Sequence, residues 1–407
     1  MRCLLSGELV EPVPTQNKIE GLSDVGGLSM GDAMTSFDKE AFCSFGLEQG
    51  ANAAMSEGIV KTCATALNDL IKHHSHRLAR VKVVYWYTGN VVEQEDVLAD
   101  VLSGFDFGDA ENPEPPDDVP TAGLLERQAE TRARRLLDAI RTGDRPDLEM
   151  CRYCALSLSA NSGRVVVRDW MEGPFRELAE AVDQWFEDLS IIARDGQSIL
   201  RSHKFGAILA APLRDLKDAP DPLVTAMWRC AVKRQPIPRQ VMAQTLSRVR
   251  LDFIQDQPVR HARLGLLRAY CIRHERMTDM TAELNEHESH HAYLCGRILA
   301  VLARIQNTAM PGVGAGVVQR YYAAASATPA LVLGRLVRNA QIAHLPKIEQ
   351  EGLRRWFENQ LADIWVKMKQ APASVLTLEE QTLFAMGYYH QLTARRSTGA
   401  ENDNQAE

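Results

Sequence analysis

Helical periodicity in the later part of the chain constrains the fold more than any other feature of the sequence. After Trp170, eight successive segments, from FRELAEAVDQWFEDLSII to LTLEEQTLFAMGYYHQLTARR, space their apolar residues three and four positions apart. Proline, glycine or capping residues separate most of them. Before Trp170 the pattern is mixed. Three short segments rich in β-branched and aromatic residues, RCLLSGE, VKVVYWYTG and GRVVVRDW, predict strands, and SEGIVKTCATALNDLIKHHSHR between the first two predicts a helix capped by Ser56.

These patterns predict an α+β fold, in which a small mixed α/β module precedes a mainly α-helical bundle. We expect the mixed module over residues 1–172, with an acidic loop near 104–121. A helical connecting domain over 173–275 and a C-terminal helical bundle over 276–396 should follow. The polar tail over 397–407 predicts disorder.

Cysteine usage and hydropathy indicate the compartment. The eight cysteines are mostly isolated from one another, which is typical of reduced thiols in a cytoplasm. No run approaches the roughly 18 apolar residues that span a bilayer. We therefore expect a cytoplasmic protein without a membrane segment.

Charge is distributed unevenly beneath a net value of −7. Acidic residues concentrate between Glu93 and Pro120, whereas 11 basic residues face three acidic ones between Met227 and Arg276. From Ser289 to Ile348 there are five arginines and one lysine but no aspartate or glutamate. We call residues 289–348 the acid-free block. A long segment of this kind favours a polyanionic partner.

Arginines on the late helices are therefore the candidate binding residues. Arg297 and Arg304 stand two helical turns apart, and we expect them on an exposed stripe that could contact successive phosphates. Tyr321 follows Arg320 and could stack on a base of a single strand. The candidates for nucleic-acid binding are Arg248, Arg250, Arg297, Arg304, Arg320, Tyr321, Arg335 and Arg338. The alternative is a solvated face, or pairing with the acidic first half of the chain.

One motif suggests a different chemistry. HESHH, from His287 to His291, fits the H-E-x-x-H spacing of zinc metalloproteases. That class needs a third ligand shortly downstream, yet the next acidic residue after Glu288 is Glu349. We expect a polar helix start rather than a catalytic zinc site, and we predict no catalytic residues, no resident metal and no cofactor. The chain is not expected to be an enzyme.

Several blocks in order resemble one family. SFDKEAFCSFGLEQGANAAMSE resembles the S-F-x-x-x-A-F-x-S-[YF]-G-x-E-Q-x-x-N-A-x-x-S block of Csd-type large subunits of type I-C CRISPR surveillance complexes (Cascade), with Phe42, Gly46, Gln49 and Asn52 at matching positions. KVVYWYTG and CALSLSANSGRVVVRDW are similar to two strands of that family. AYLCGRILAVLARIQ, VVQRYYAAASATPALVLGRLV and FAMGYYHQ resemble three motifs of its helical C-terminal region.

The resemblance implies a non-catalytic subunit of an RNA-guided complex. Its implied partners are the CRISPR RNA backbone subunits, the guide RNA, the displaced strand of the target DNA and a helicase-nuclease that docks separately. The C-terminal bundle would correspond to a Cascade small subunit. The competing hypothesis is a helical scaffold, or a degenerate fragment, that binds no nucleic acid.

The resemblance also has departures. The C-L-x-[TS]-G-E block of the family begins here at residue two, so we expect an N-terminal truncation. Leu47 stands where lysine is common, which removes one possible phosphate contact. The family produces a small helical subunit by internal translation, and Met277 or Met280 could start such a product.

Overall fold

A computed structural model of the protein describes residues 1–37, 39–102, 124–201, 205–255, 257, 259–274, 280–312 and 314–394. The predicted acidic loop near 104–121, the predicted tail over 397–407 and Met277 lie outside the described residues. Within that part of the chain no helix is both long enough and apolar enough to cross a bilayer.

The described residues divide into two compact units. The first comprises residues 1–183, 204–210 and 214–234, and the second comprises residues 184–203, 211–213 and 235–407. The domain boundaries expected from the sequence remain predictions. The fold class is confirmed, because one unit contains a mixed set of strands and helices and the other is almost entirely helical.

The first unit contains a four-stranded antiparallel sheet in the order β1-β2-β3-β4. Its strands are β1 Ser75–Leu78, β2 Val81–Tyr87, β3 Arg152–Asn161 and β4 Arg164–Pro174. Two predicted strands are therefore confirmed as β2 and β4. RCLLSGE instead forms an isolated bridge between Arg2 and Leu9, too short to be a strand.

Helices of the first unit include α1 Glu57–His73, α2 Val97–Leu102, α3 Leu124–Thr142, α4 Pro146–Glu149, α6 Phe205–Ala210 and α7 Asp221–Lys233. The predicted cap is confirmed, since Ser56 Oγ accepts a hydrogen bond from the backbone N–H of Ile59. One face of the sheet is apolar because alternate residues of its strands point the same way. Val84, Leu156 and Leu158 on that face pack in one buried cluster with Ala64 and Ile71 of α1.

Helix α5, Phe175–Asp188, begins in the first unit and ends in the second. The remaining elements of the second unit are β5 Ile191–Ile192, β6 Ile199–Leu200, α8 Arg239–Ile254, α9 His261–Arg273, α10 His291–Ala309, α11 Val317–Ala327, α12 Pro329–Asn339, α13 Glu351–Lys367 and α14 Leu378–Thr393. A π-helical turn, Ala340–His344, continues α12. Met280, the other possible internal start, is buried, and its carbonyl accepts a hydrogen bond from Arg268.

Helices α10 and α14 form the centre of the second unit. They run in the same direction, because His291 lies beside Glu380 near their starts and Arg304 donates to Leu392 near their ends. The helices approach closely at two glycines. A Cβ atom on Gly296 would stand 2.0 Å from the carbonyl oxygen of Phe384, and one on Gly387 would stand 2.1 Å from that of Tyr293. Only glycine permits this backbone separation.

Candidate nucleic-acid interface

The acid-free block folds into α10, α11, α12 and the π-helical turn, and its arginines divide into two groups. Arg297 and Arg304 belong to α10, at the centre of the second unit. Arg320 belongs to α11, and Arg335 and Arg338 belong to α12. The first two point towards α14, whereas the last three are exposed.

The expected exposed stripe on α10 is wrong. Arg297 is only 5% exposed, and its Nε donates to Oε1 of Gln391 at 2.8 Å. Burial lowers the pKa of its guanidinium. Arg304 is half-buried and donates to the carbonyl oxygens of Leu392 and Ala394 at 3.0 and 3.1 Å. These two arginines fasten α10 to α14, so they are not available to successive phosphates.

A buried polar network surrounds Arg297. The hydroxyl of Tyr293 and Nδ1 of His390 lie 2.9 Å apart. Burial, together with the charges of Arg268 and Arg297, lowers the pKa of His390 to about 3, so the imidazole is neutral near pH 7. Burial also raises the pKa of Tyr293 to about 12. The network therefore contributes a single positive charge, on Arg297.

Arginines of α8 and α9 are largely tied to other side chains of the second unit. Arg263 pairs with Asp252 at 2.5 Å, and Arg273 pairs with Asp188 at 2.7 Å. Arg250, one of the candidates, donates to Oε1 of Gln381 at 2.6 Å. Arg248, another candidate, is half-buried on the same helix. The arginine side chains of α8 and α9 are therefore less exposed than the basic composition of this segment suggested.

The arginines of α11 and α12 are exposed, as binding of a polyanionic partner requires. Arg320, Arg335 and Arg338 are exposed, and the guanidinium group of none of them forms a hydrogen bond or an ion pair with any residue that the structure describes. Tyr321 beside them is half-buried, so part of its ring is accessible. Its neighbour Tyr322 is buried, with its ring centroid 5.0 Å from that of Phe253, and serves the core.

The exposed face of α12 carries arginine and apolar side chains at regular helical spacing. Leu331, Arg335, Arg338 and Ile342 follow one another at four, three and four positions, so they lie along one side of the helix and its π-helical continuation. Leu331 is 74% exposed and Ile342 is 67% exposed. We call these four residues the α12 stripe. It presents two guanidinium groups between two apolar side chains, a combination that suits binding rather than simple solvation.

Residues of the family-like block lie in the first unit and form a chain of short 3₁₀ turns before α1. Phe42, Gly46 and Gln49 are exposed, and Nδ2 of Asn52 donates to the carbonyl oxygen of Gln49. Phe45, which the sequence analysis did not select, is fully exposed with a φ of 57°. A positive φ is uncommon for a bulky side chain.

The H-E-x-x-H motif lacks the helical geometry that the spacing requires. Helix α10 begins at His291, so His287 and Glu288 precede it and are not one turn behind His291 on a helix. Glu288 instead accepts hydrogen bonds from the backbone N–H groups of Ser289 and His290. The metallohydrolase hypothesis through His287, Glu288 and His291 is therefore wrong. A different cluster, His290, His291 and Glu380, brings together three groups that could hold a metal ion.

Comparison with known proteins gives one family. A family model described as CRISPR-associated protein (Cas_Csd1) matches residues 1–396, nearly the whole chain. The chain is therefore a CRISPR-associated protein. It belongs to the Cas_Csd1 family, and this membership implies the context of a CRISPR effector complex. No curated protein matches the chain.

Proposed function

We propose that the protein is the non-catalytic large subunit of a type I-C CRISPR surveillance complex. In this role it binds target DNA, holds the displaced strand and offers a docking surface to the helicase-nuclease. Its partners are then the backbone subunits, the guide RNA and the target DNA. The observation that carries the nucleic-acid part is the set of three exposed arginines on α11 and α12 whose side chains have no partner among the described residues, within a family of CRISPR-associated proteins.

Electrostatics support this role for α11 and α12. Arg320, Arg335 and Arg338 belong to a block of 60 residues without a carboxylate side chain, so local charge is not neutralised along the chain. Exposed guanidinium groups bind phosphate oxygens through charge-assisted hydrogen bonds. Contact with phosphates alone carries no sequence information, which suits a strand whose sequence is read by the guide RNA.

Salt dependence of single-stranded DNA binding tests the proposal. Each phosphate contact on a single strand contributes about −0.7 to the slope of log affinity against log salt. Replacing Arg335 and Arg338 by glutamate removes two such contacts. The slope should then become shallower by about 1.4, and affinity should fall for every oligonucleotide sequence alike. Fluorescence anisotropy between 50 and 200 mM salt, roughly the range over which counterion release is resolved, provides the measurement.

Arg355 on α13 supplies the matched control. It is an exposed helical arginine of the same unit, and its ion pair with Glu351 at 2.6 Å already satisfies it. Arg355→Glu should leave the slope unchanged. A wild-type chain that shows no salt-dependent binding would instead favour the scaffold hypothesis. Equal losses in the Arg355 variant and the double variant would show that overall charge, rather than the α12 stripe, determines affinity.

Assembly and enzymatic activity are tested separately. Co-purification with the backbone subunits and guide RNA should recover a stoichiometric complex. Nuclease and peptidase assays on the isolated chain should show no activity, because the resemblance implies a subunit that catalyses nothing. A robust metal-dependent cleavage of DNA by the chain would contradict the non-catalytic assignment.

A further inference from the structure

Two histidines and one glutamate meet where α10 and α14 begin. Nε2 of His291 lies 3.2 Å from Oε1 of Glu380, and one ligand-capable atom of His290 joins them, with all three atoms within 4.8 Å of one another. The rings of His290 and His291 are stacked with centroids 4.7 Å apart. All three side chains are half-buried. The cluster is independent of the α12 stripe and of the proposed function.

The chemistry of this donor set suits zinc. Two imidazole nitrogens and one carboxylate oxygen form a common three-ligand set for Zn²⁺, which leaves a fourth position for water. Two ligands at the usual zinc distances stand roughly 3.3 Å apart in a tetrahedron, close to the 3.2 Å between His291 and Glu380. That pair is already spaced for coordination of one ion.

A supporting contact holds the carboxylate of Glu380 in place. Oε2 of Glu380 accepts from the backbone N–H of Thr377 at 2.7 Å, which orients the carboxylate and leaves Oε1 for the ion. Metal-binding carboxylates are usually fixed by such a second hydrogen bond. Nδ1 of His291 is buried and has no partner among the described residues. When Nε2 binds an ion, Nδ1 carries the proton of the ring.

Metal binding by His290 would replace its hydrogen bond at the start of α10. Its Nδ1 accepts from the backbone N–H of Ala292 at 3.2 Å and so caps α10. Coordination through either ring nitrogen places the proton on the other, and the capping bond is lost. A neutral imidazole is the form that binds a metal ion.

We propose that His290, His291 and Glu380 bind one Zn²⁺ ion, which clips together the starts of α10 and α14. This ligand set differs from the residues of the H-E-x-x-H motif. His291 is shared by both sets, whereas His290 and Glu380 belong only to the clip and His287 and Glu288 belong only to the motif. The two sets can therefore be separated by substitution.

Titration of the full chain with Co²⁺, followed by displacement with Zn²⁺, tests the clip. Four-coordinate Co²⁺ absorbs visible light, so binding is read directly without reference to activity. Wild-type protein should saturate at one equivalent. His290→Asn and Glu380→Gln should each weaken binding at least tenfold, because each removes a ligand while keeping a side-chain oxygen that can preserve the helix cap. Circular dichroism verifies that both variants remain folded.

His287→Gln and Glu288→Gln serve as matched controls and should change Co²⁺ affinity by less than twofold. The proposal is overturned if the wild-type chain binds no Co²⁺ at one equivalent. It is also overturned if the two controls lose binding while His290→Asn and Glu380→Gln retain it, since the ion then sits on the motif.

Discussion

Replacement of Gly296 by alanine should destabilise the second unit through one close contact. The added Cβ would stand 2.0 Å from the carbonyl oxygen of Phe384, and such contacts essentially never fall below 3.0 Å. The axes of α10 and α14 must therefore separate by about 1 Å, the difference between those two distances. Overpacking of this kind typically costs about 1–3 kcal/mol, and a gap of this width also weakens dispersion contacts along the interface. Alanine returns up to about 1 kcal/mol through helix propensity.

We therefore expect Gly296→Ala to lower the free energy of unfolding by roughly 1–2 kcal/mol. Gly387→Ala should behave alike, because its Cβ would meet the carbonyl oxygen of Tyr293 at 2.1 Å. The double variant should lose less than the sum, since one separation of the helices accommodates both methyl groups.

Urea unfolding monitored by far-ultraviolet circular dichroism measures the effect. Gly334 on α12 is the matched control, because a Cβ placed there meets no described atom within 4 Å outside the adjoining backbone of its own helix. Gly334→Ala should raise stability by about 0.5–1 kcal/mol. If Gly296→Ala unfolds at the same urea concentration as wild type, or at a higher one, the close approach of α10 and α14 is not a feature of the folded protein.

Three further predictions concern the polar network between α10 and α14. The pKa of buried His390 is lowered to about 3 in the folded chain. Because an unfolded histidine takes up its proton near pH 6.5, protonation favours the unfolded state below that pH. The free energy of unfolding should therefore fall as the pH drops from about 6.5 towards 3, by up to about 1.4 kcal/mol per pH unit. Urea midpoints at several pH values should show a shallower dependence in His390→Gln, and an identical dependence would contradict this. Arg297→Met should be neutral or stabilising and should leave DNA affinity unchanged, because it replaces a buried cation that forms no ion pair with a carboxylate of the described residues. Gln391→Leu leaves the guanidinium of Arg297 without its acceptor and should lower the free energy of unfolding by about 1–3 kcal/mol, which chemical denaturation measures. A Gln391→Leu variant as stable as the wild type would mean that the hydrogen bond between Arg297 and Gln391 contributes little.

Periodicity predicted the helices but not the direction in which every arginine points. Leu294 precedes Arg297 by three residues and Val301 follows it by four, so both lie on the face of α10 that carries the guanidinium. That spacing was visible in the sequence and indicated burial, since a helix apolar on all sides lies inside a protein. Arg335 differs because the residues that follow it by three and four positions, Arg338 and Asn339, are polar. The fold class and the exposed arginines of α11 and α12 were accessible on this basis.

Other features depend on distant pairs and could not be read from local patterns. Gly296 and Gly387 are 91 positions apart, and only their packing reveals that each needs to lack a side chain. Likewise, no local pattern associates Glu380 with His290 and His291. The H-E-x-x-H match failed for a related reason: its spacing assumes a helix, whereas the backbone before His291 is used to cap one.

The glycine contact between α10 and α14 has a consequence for how the chain is synthesised. Sixty-eight residues separate the end of α10 at Ala309 from the start of α14 at Leu378, since 377 − 309 = 68. Proteins emerge from the ribosome amino terminus first. The face of α10 that packs against α14 must therefore stay uncovered until α14 leaves the exit tunnel. A chain that ends before Leu378 would leave that face of α10 permanently exposed.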